Sequence, residues 1–121
     1  MLILIAHGSY NAEWRAAVEA VTAGVNQDAN GARVRLAYMD CTPPTLMDVA
    51  REALRDGVGR LDVLPLFLAD EGHVDRDVRP LVAEVQAAYP RADVRLLPAV
   101  GQHPLFGEML RGIAAELSTD R

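Results

Sequence analysis

The sequence predicts an α/β fold, a three-layer α/β/α sandwich built on a four-stranded parallel sheet. Three observations carry this. Four short apolar runs recur along the 121 residues, and each is followed by a stretch with helical periodicity. The first and third runs are apolar almost throughout, as strands covered on both faces are. All three histidines, His7, His73 and His103, stand a few residues past the end of a run, where the loops of an open parallel sheet gather to bind ligands. Right-handed crossovers then place helices on both faces.

The first strand is expected over residues 1–6, MLILIA. Residues 11–29 set Trp14, Ala17, Val18, Val21 and Val25 at helical spacing, and Asn30-Gly31 closes that helix. A second strand runs through Val34, Leu36, Tyr38 and Met39. Pro43-Pro44 resets the chain into a helix carrying Leu46, Val49, Ala50, Ala53 and Leu54, which Gly57 and Gly59 end. The third strand covers 61–68. Residues 69–77, ADEGHVDRD, form a charged nine-residue loop, long for a strand-to-helix connection. A helix over 78–89 shows Val78, Leu81, Val82, Val85 and Ala88 on one face, and Pro80 fits its first turn. The fourth strand spans 93–97, and Pro104 opens a last helix with Leu105, Met109, Leu110, Ile113 and Leu117. No linker, repeat or low-complexity stretch interrupts this order, so residues 1–121 read as a single domain.

Composition narrows the function. Hydrophobic residues make up 50% and charged residues 24%, the balance of an ordinary soluble domain. A net charge of −5 argues against nucleic acid, which recruits proteins through a basic field. All 12 basic residues are arginine, which excludes Schiff-base lysine chemistry and a phosphate-loop lysine. A lone cysteine, Cys41, has no internal disulfide partner and fits a reducing cytoplasm. MLILIA lacks a basic leader and is too short for a signal core or a membrane span, so no membrane role is expected.

Chemistry concentrates at the strand exits. His7-Gly8-Ser9 occupies the turn leaving the first strand, where glycine lets backbone N–H groups approach a ligand ahead of a helix N-terminus. A histidine merely satisfied in a turn is the plain alternative. Asp40, at the mouth of the second strand, is the carboxylate best placed to join the histidines, or else a turn and capping aspartate. Cys41 is expected to be a small buried filler. Asp70, Glu71, Asp75 and Asp77 face a single arginine, Arg76, around His73. Such a cluster attracts a divalent cation and favours protonated His73, unless it is simply a solvated loop. Gly72 suggests a turn that aims the His73 ring. His103, in Gly-x-His-Pro, is expected to cap the last helix or pack beside the site. No zinc-finger spacing, phosphate loop, GxSxG elbow, GxGxxG fingerprint or HExxH is present, so the site is assembled from separate loops.

Leu4-Ile5-Ala6-His7-Gly8-Ser9, Pro65-Leu66-Phe67-Leu68 with Gly72-His73-Val74, the Thr45-Leu46 segment and Gly101-Gln102-His103-Pro104 together resemble the class II chelatase family, in its short sirohydrochlorin cobaltochelatase branch. The resemblance keeps its order over nearly the whole chain. It implies insertion of Co²⁺ into sirohydrochlorin or a close precursor in cobalamin biosynthesis. It also implies His7 and His73 as catalytic and metal-holding residues and Asp40 as a further metal-site carboxylate, where many members carry glutamate. Tyr10 and Arg79 depart from the family pattern. Larger members carry two such domains, so a single-domain chain implies a homodimer.

The chemistry agrees. Metallation removes two pyrrole protons and strips water from the ion, and neutral imidazoles can do both. The metal is substrate, not a permanently bound cofactor, and Fe²⁺ or Ni²⁺ would suit imidazole as well as Co²⁺. Arginines must answer the substrate's eight carboxylates, and Arg15, Arg76 and Arg79 lie nearest the histidine loops in sequence. A non-catalytic metal or tetrapyrrole carrier is the competing reading. A histidine phosphatase is the third, and it lacks the arginine that should precede His7, where Ala6 stands.

Overall fold

A computed structural model describes residues 1–28, 33–69, 72 and 74–118. The expected parallel sheet is present, built from β1 (Leu2–Ala6), β2 (Val34–Tyr38), β3 (Arg60–Pro65) and β4 (Asp93–Leu96) in the order β2-β1-β3-β4. Four helices connect and follow the strands: α1 (Ala12–Asp28), α2 (Leu46–Arg55), α3 (Arg79–Ala88) and α4 (Pro104–Ser118). No helix among the described residues is long and apolar enough to cross a membrane.

Strand alternation sends side chains to two layers. Ile3, Ile5, Leu61 and Val63 are wholly buried beneath Leu46, Val49, Ala50 and Ala53 of α2 and Val82 and Val85 of α3. Each such aliphatic contributes about 1.5–3 kcal/mol of burial against the conformational entropy of folding. Leu4, Ala6, Val34, Leu36 and Tyr38 form the second layer, against which Val18 of α1 packs. In α1 the inward residues are Val18 and Thr22, while Val21 is 63% exposed, so the buried stripe is rotated from the expected one. The Thr22 hydroxyl is satisfied by donating to the Val18 carbonyl at 3.0 Å. α4 keeps its apolar pattern, yet none of its residues is buried.

Several boundaries differ for local reasons. β3 stops at Pro65 rather than at residue 68. Leu66 still donates to the Ile5 carbonyl at 2.9 Å, but β1 ends one residue later, at Ala6, so the ladder goes no further. The Phe67 carbonyl instead accepts the Gly101 N–H at 3.0 Å. The expected nine-residue loop is also shorter, because a π-helical turn over Val74–Val78 runs straight into α3. Val74 and Val78 are both buried and anchor that turn in the core, which outweighs the charges between them. The helix closure expected at Asn30-Gly31 lies outside the described residues.

α2 starts with a reciprocal cap. The Thr45 hydroxyl accepts the Asp48 N–H at 3.1 Å, and the Asp48 carboxylate accepts the Thr45 N–H at 3.0 Å. Those bonds from Thr45 hold the Asp48 carboxyl below its ordinary range. A lowered folded-state pKa means the stabilisation is present above the unfolded carboxylate range and is lost as pH falls through it. Thr45→Ala should therefore cost about 1 kcal/mol in urea unfolding at neutral pH. The difference between Asp48→Asn and the parent protein should shrink in acid.

Candidate active site

β1 lies between β2 and β3, and the chain leaves it toward β2 but leaves β3 in the opposite direction, toward β4. Their exit loops part at the carboxyl edge and open the crevice where parallel sheets bind ligands. His7 is the first residue past β1, and Phe67 the second past β3. Their rings meet at a centroid distance of 5.3 Å, tilted by 55°.

Asp40 joins this pair from β2. One carboxylate oxygen accepts the Gly8 N–H at 2.7 Å, and the other stands 3.4 Å from His7 Nδ1. Both side chains are about half exposed, at 49% and 47%, so the ion pair itself adds little stability. Its effect is orientation. With hydrogen on Nδ1 directed at Asp40, Nε2 is the nitrogen that presents a lone pair.

The backbone enforces this approach. A Cβ on Gly8 would fall 1.8 Å from the Asp40 carbonyl oxygen, so only glycine lets the two exit loops touch. Met39 N–H donates to the Ala6 carbonyl at 2.9 Å, and Tyr38 N–H donates to the Pro44 carbonyl at 2.8 Å. The buried Tyr38 hydroxyl donates to Glu19 at 3.0 Å. Burial, then that carboxylate, push its phenol pKa up, so it stays a neutral donor. Cys41 is exposed and left-handed, with φ of 64°, and so corrects the expected buried filler. Asn11 caps α1, accepting the Glu13 and Trp14 N–H groups at 2.9 and 3.2 Å.

The remaining expected residues divide. His73, Asp70 and Glu71 lie outside the described residues. Among the described residues, no group of three or more His, Cys, Asp or Glu side chains could hold a metal. Arg15 reaches the Ser9 carbonyl at 2.7 Å and braces the His7 loop. Arg79 donates to Asp75 at 2.8 Å. His103 is a capping residue, its Nδ1 accepting the Leu105 N–H at 3.1 Å at the start of α4.

Three features of the rim were not among the expected site residues. Phe67 supplies the ring against His7, and only its place in the PLFL run pointed to it. Gly101 is a second close approach, since a Cβ there would lie 1.7 Å from the Leu68 carbonyl oxygen. Tyr10 and Leu68 leave the two crevice strands with 82% and 72% exposure, apolar surface that a water-facing loop does not require. A hollow of about 500 Å³ between Leu54, Val58, Tyr89 and Pro90 is at the opposite edge, away from this chemistry.

The CbiX family profile matches residues 1–117. The chain belongs to the CbiX family. It is 30% identical, over 77 residues, to a sirohydrochlorin cobaltochelatase of Methanopyrus kandleri, covering 64% of this chain and 54% of that protein. The match thus spans about half that relative's length. A CbiX protein of Marinobacter aquaeolei VT8, ascribed to cobalamin biosynthesis, superposes with a TM-score of 0.80 at 28% identity, covering 99% of this chain and 98% of that one. The sirohydrochlorin chelatase SirB of Bacillus subtilis subspecies spizizenii, in complex with cobalt, superposes at 0.73 with 18% identity over 80% of this chain and 42% of its own. SirB of Bacillus subtilis with Fe³⁺ gives 0.71 at 18% identity, over 78% and 38%. These CbiX and SirB structures share the fold found here.

Gly8→Ala should destabilise the CbiX chain by about 1–3 kcal/mol, because backbone must move to admit the methyl. Gly24→Ala is the control, an α1 position whose Cβ would meet nothing within 4 Å, and it should stabilise by about 0.5–1 kcal/mol. Urea unfolding of the two variants beside the parent protein checks the contrast.

Proposed function

We propose that this chain is a metal chelatase that inserts Co²⁺, as substrate, into sirohydrochlorin. His7 and His73 hold the ion and accept the displaced protons. The observation that carries the reading is the His7–Asp40 pair fixed at the crevice by the Gly8 amide. The named activity of the Methanopyrus relative supports the substrate and the metal, while cobalt and Fe³⁺ bound to two SirB structures keep iron as the alternative ion.

The reaction exchanges two pyrrole N–H protons for one divalent ion. Neutral His7 takes one proton at Nε2, and the facing Asp40 carboxylate stabilises the imidazolium formed. Its half-exposed ring then returns the proton to water. The second proton falls to His73. In this reading Asp40 positions His7 rather than ligating the metal, since one oxygen is committed to the Gly8 amide. Tyr10 and Phe67 offer ring surface to the flat macrocycle, and arginines near the loops answer its carboxylates. One protomer encloses only part of so large a ligand, and a second copy completes the cover.

Absorbance bands of sirohydrochlorin shift on metallation, and initial rates with Co²⁺, Fe²⁺ and Ni²⁺ provide the test. His7→Ala and His73→Ala should each lower the rate about 10²–10⁴-fold with the fold intact. Asp40→Asn should cost about 10–100-fold, as loss of an orienting partner does. The rate should fall on acidification, because protons and metal compete for the same nitrogens. Parent-like rates in the double histidine variant would place the chemistry elsewhere. Tight binding of metal and macrocycle by the parent protein without turnover would identify a carrier.

A further inference from the structure

Only residues 7–11 separate β1 from α1, and the glycine within them turns with little resistance. His7 therefore keeps one direction only if the peptides that follow it are fastened. The Gly8 N–H is held by Asp40 at 2.7 Å. Two peptides further on, the Ser9 carbonyl accepts Arg15 Nη1, also at 2.7 Å. Both bonds have a charged partner, and such bonds are about twice as strong as neutral ones. The Ser9 hydroxyl adds a third tie by accepting the Asn11 N–H at 3.0 Å.

Arg15 can hold Ser9 only if α1 is itself in place. α1 lies lightly on the sheet, through Val18 and Thr22, and further contacts register it. The Tyr38 hydroxyl donates to Glu19 at 3.0 Å, and the Trp14 ring stands 6.4 Å from the Tyr38 ring. Residues 14, 15, 18, 19 and 22 share one helical face. Tyr38 closes β2, two residues ahead of Asp40. The His7 loop, Asp40, Tyr38, Glu19 and Arg15 thus make a closed circuit, in which both members of the His7–Asp40 pair are referred to the end of β2.

We propose that Arg15 is a positioning residue for metallation, holding the Ser9 carbonyl so that His7 stays in register with Asp40. This role rests on the chelatase reading. It differs from the task that the place of Arg15 in the sequence suggested. A half-buried guanidinium committed to a backbone carbonyl is ill placed for bidentate pairing with a substrate carboxylate. Arg76 and Arg79, both exposed, are the better candidates for that.

Initial metallation rates over a range of sirohydrochlorin concentrations separate the two roles. Arg15→Met removes the donors and keeps most of the stem. With an unchanged far-UV spectrum, it should lower kcat about 10–100-fold, as loss of an orienting partner does. KM for the macrocycle should stay within about threefold. Arg15→Lys should recover most of the loss, because a carbonyl needs only one N–H. In a His7→Ala background Arg15→Met should cost less than about threefold, since residues that act through one another are not additive.

A second readout needs no turnover. At about pH 9 imidazole is neutral, and His7→Ala identifies the His7 signals among those of three histidines. Nitrogen NMR should find hydrogen on Nδ1 of His7 in the parent protein and a mixture of both tautomers in Arg15→Met. Arg15→Gln takes its place in both measurements if Arg15→Met does not fold. A raised KM with kcat kept would make Arg15 a substrate contact and overturn the proposal. So would an unchanged kcat, a full loss that persists without His7, or a His7 ring spectrum that the substitution leaves alone. A parent protein without turnover would sink the chelatase reading by itself, and the ring spectrum would still decide whether Arg15 governs His7.

Discussion

Backbone lying directly on backbone is the constraint on which the carboxyl edge depends. Gly8 rests on the Asp40 carbonyl and Gly101 on the Leu68 carbonyl, both closer than any Cβ allows. The first contact fastens the β1 exit to the β2 exit, and the second fastens the β3 exit to the turn after β4. Side-chain geometry follows from these two contacts. Asp40 can face His7 because its loop is already pressed against Gly8, and Phe67 can lie beside the imidazole because Gly101 holds its carbonyl. A half-exposed ion pair could not impose such order against solvent screening.

The two faces of the sheet do different work. On one, α2 and α3 seal Ile3, Ile5, Leu61 and Val63 completely, and that layer supplies the cohesion of the isolated chain. On the other, α1 touches the sheet chiefly through Val18 and Thr22, and α4 buries nothing. The candidate site sits at the rim between a rigid layer and an open one. Two of its residues, Gly8 and Asp40, directly follow strands that contribute Ile3, Ile5 and Ala37 to the sealed layer.

Much of this was legible in the sequence. Apolar runs flanked by glycine and proline marked every strand, and the proline-initiated helices began where the residues required. The histidine positions pointed to the carboxyl edge, where His7 and His103 do lie, and Asp40 was reachable from its place past β2. The misses have physical causes. Strand ends depend on where a neighbour stops, as at Pro65, and a single sequence does not display neighbours. The acidic stretch around Val74 hid a valine that is buried regardless of the charges beside it. Periodicity also gives the same stripe whether or not an apolar helix is buried, so the exposure of α4 was not visible in its pattern.

Strand order bears on how the chain reaches this state. β1 is central, and Leu2 pairs with Val34 on one side and Asp62 on the other, so every ladder bond it makes waits for distant chain to arrive. Long-range closure of this kind is slow, because loop entropy is lost before any contact compensates for it. His7 is tethered to the end of that strand. The imidazole therefore reaches Asp40 only once β1 has docked beside β2, and Phe67 only once it has docked beside β3. Recovery of a competent site on refolding then reports completion of the whole sheet, not the gain of helical signal that precedes it.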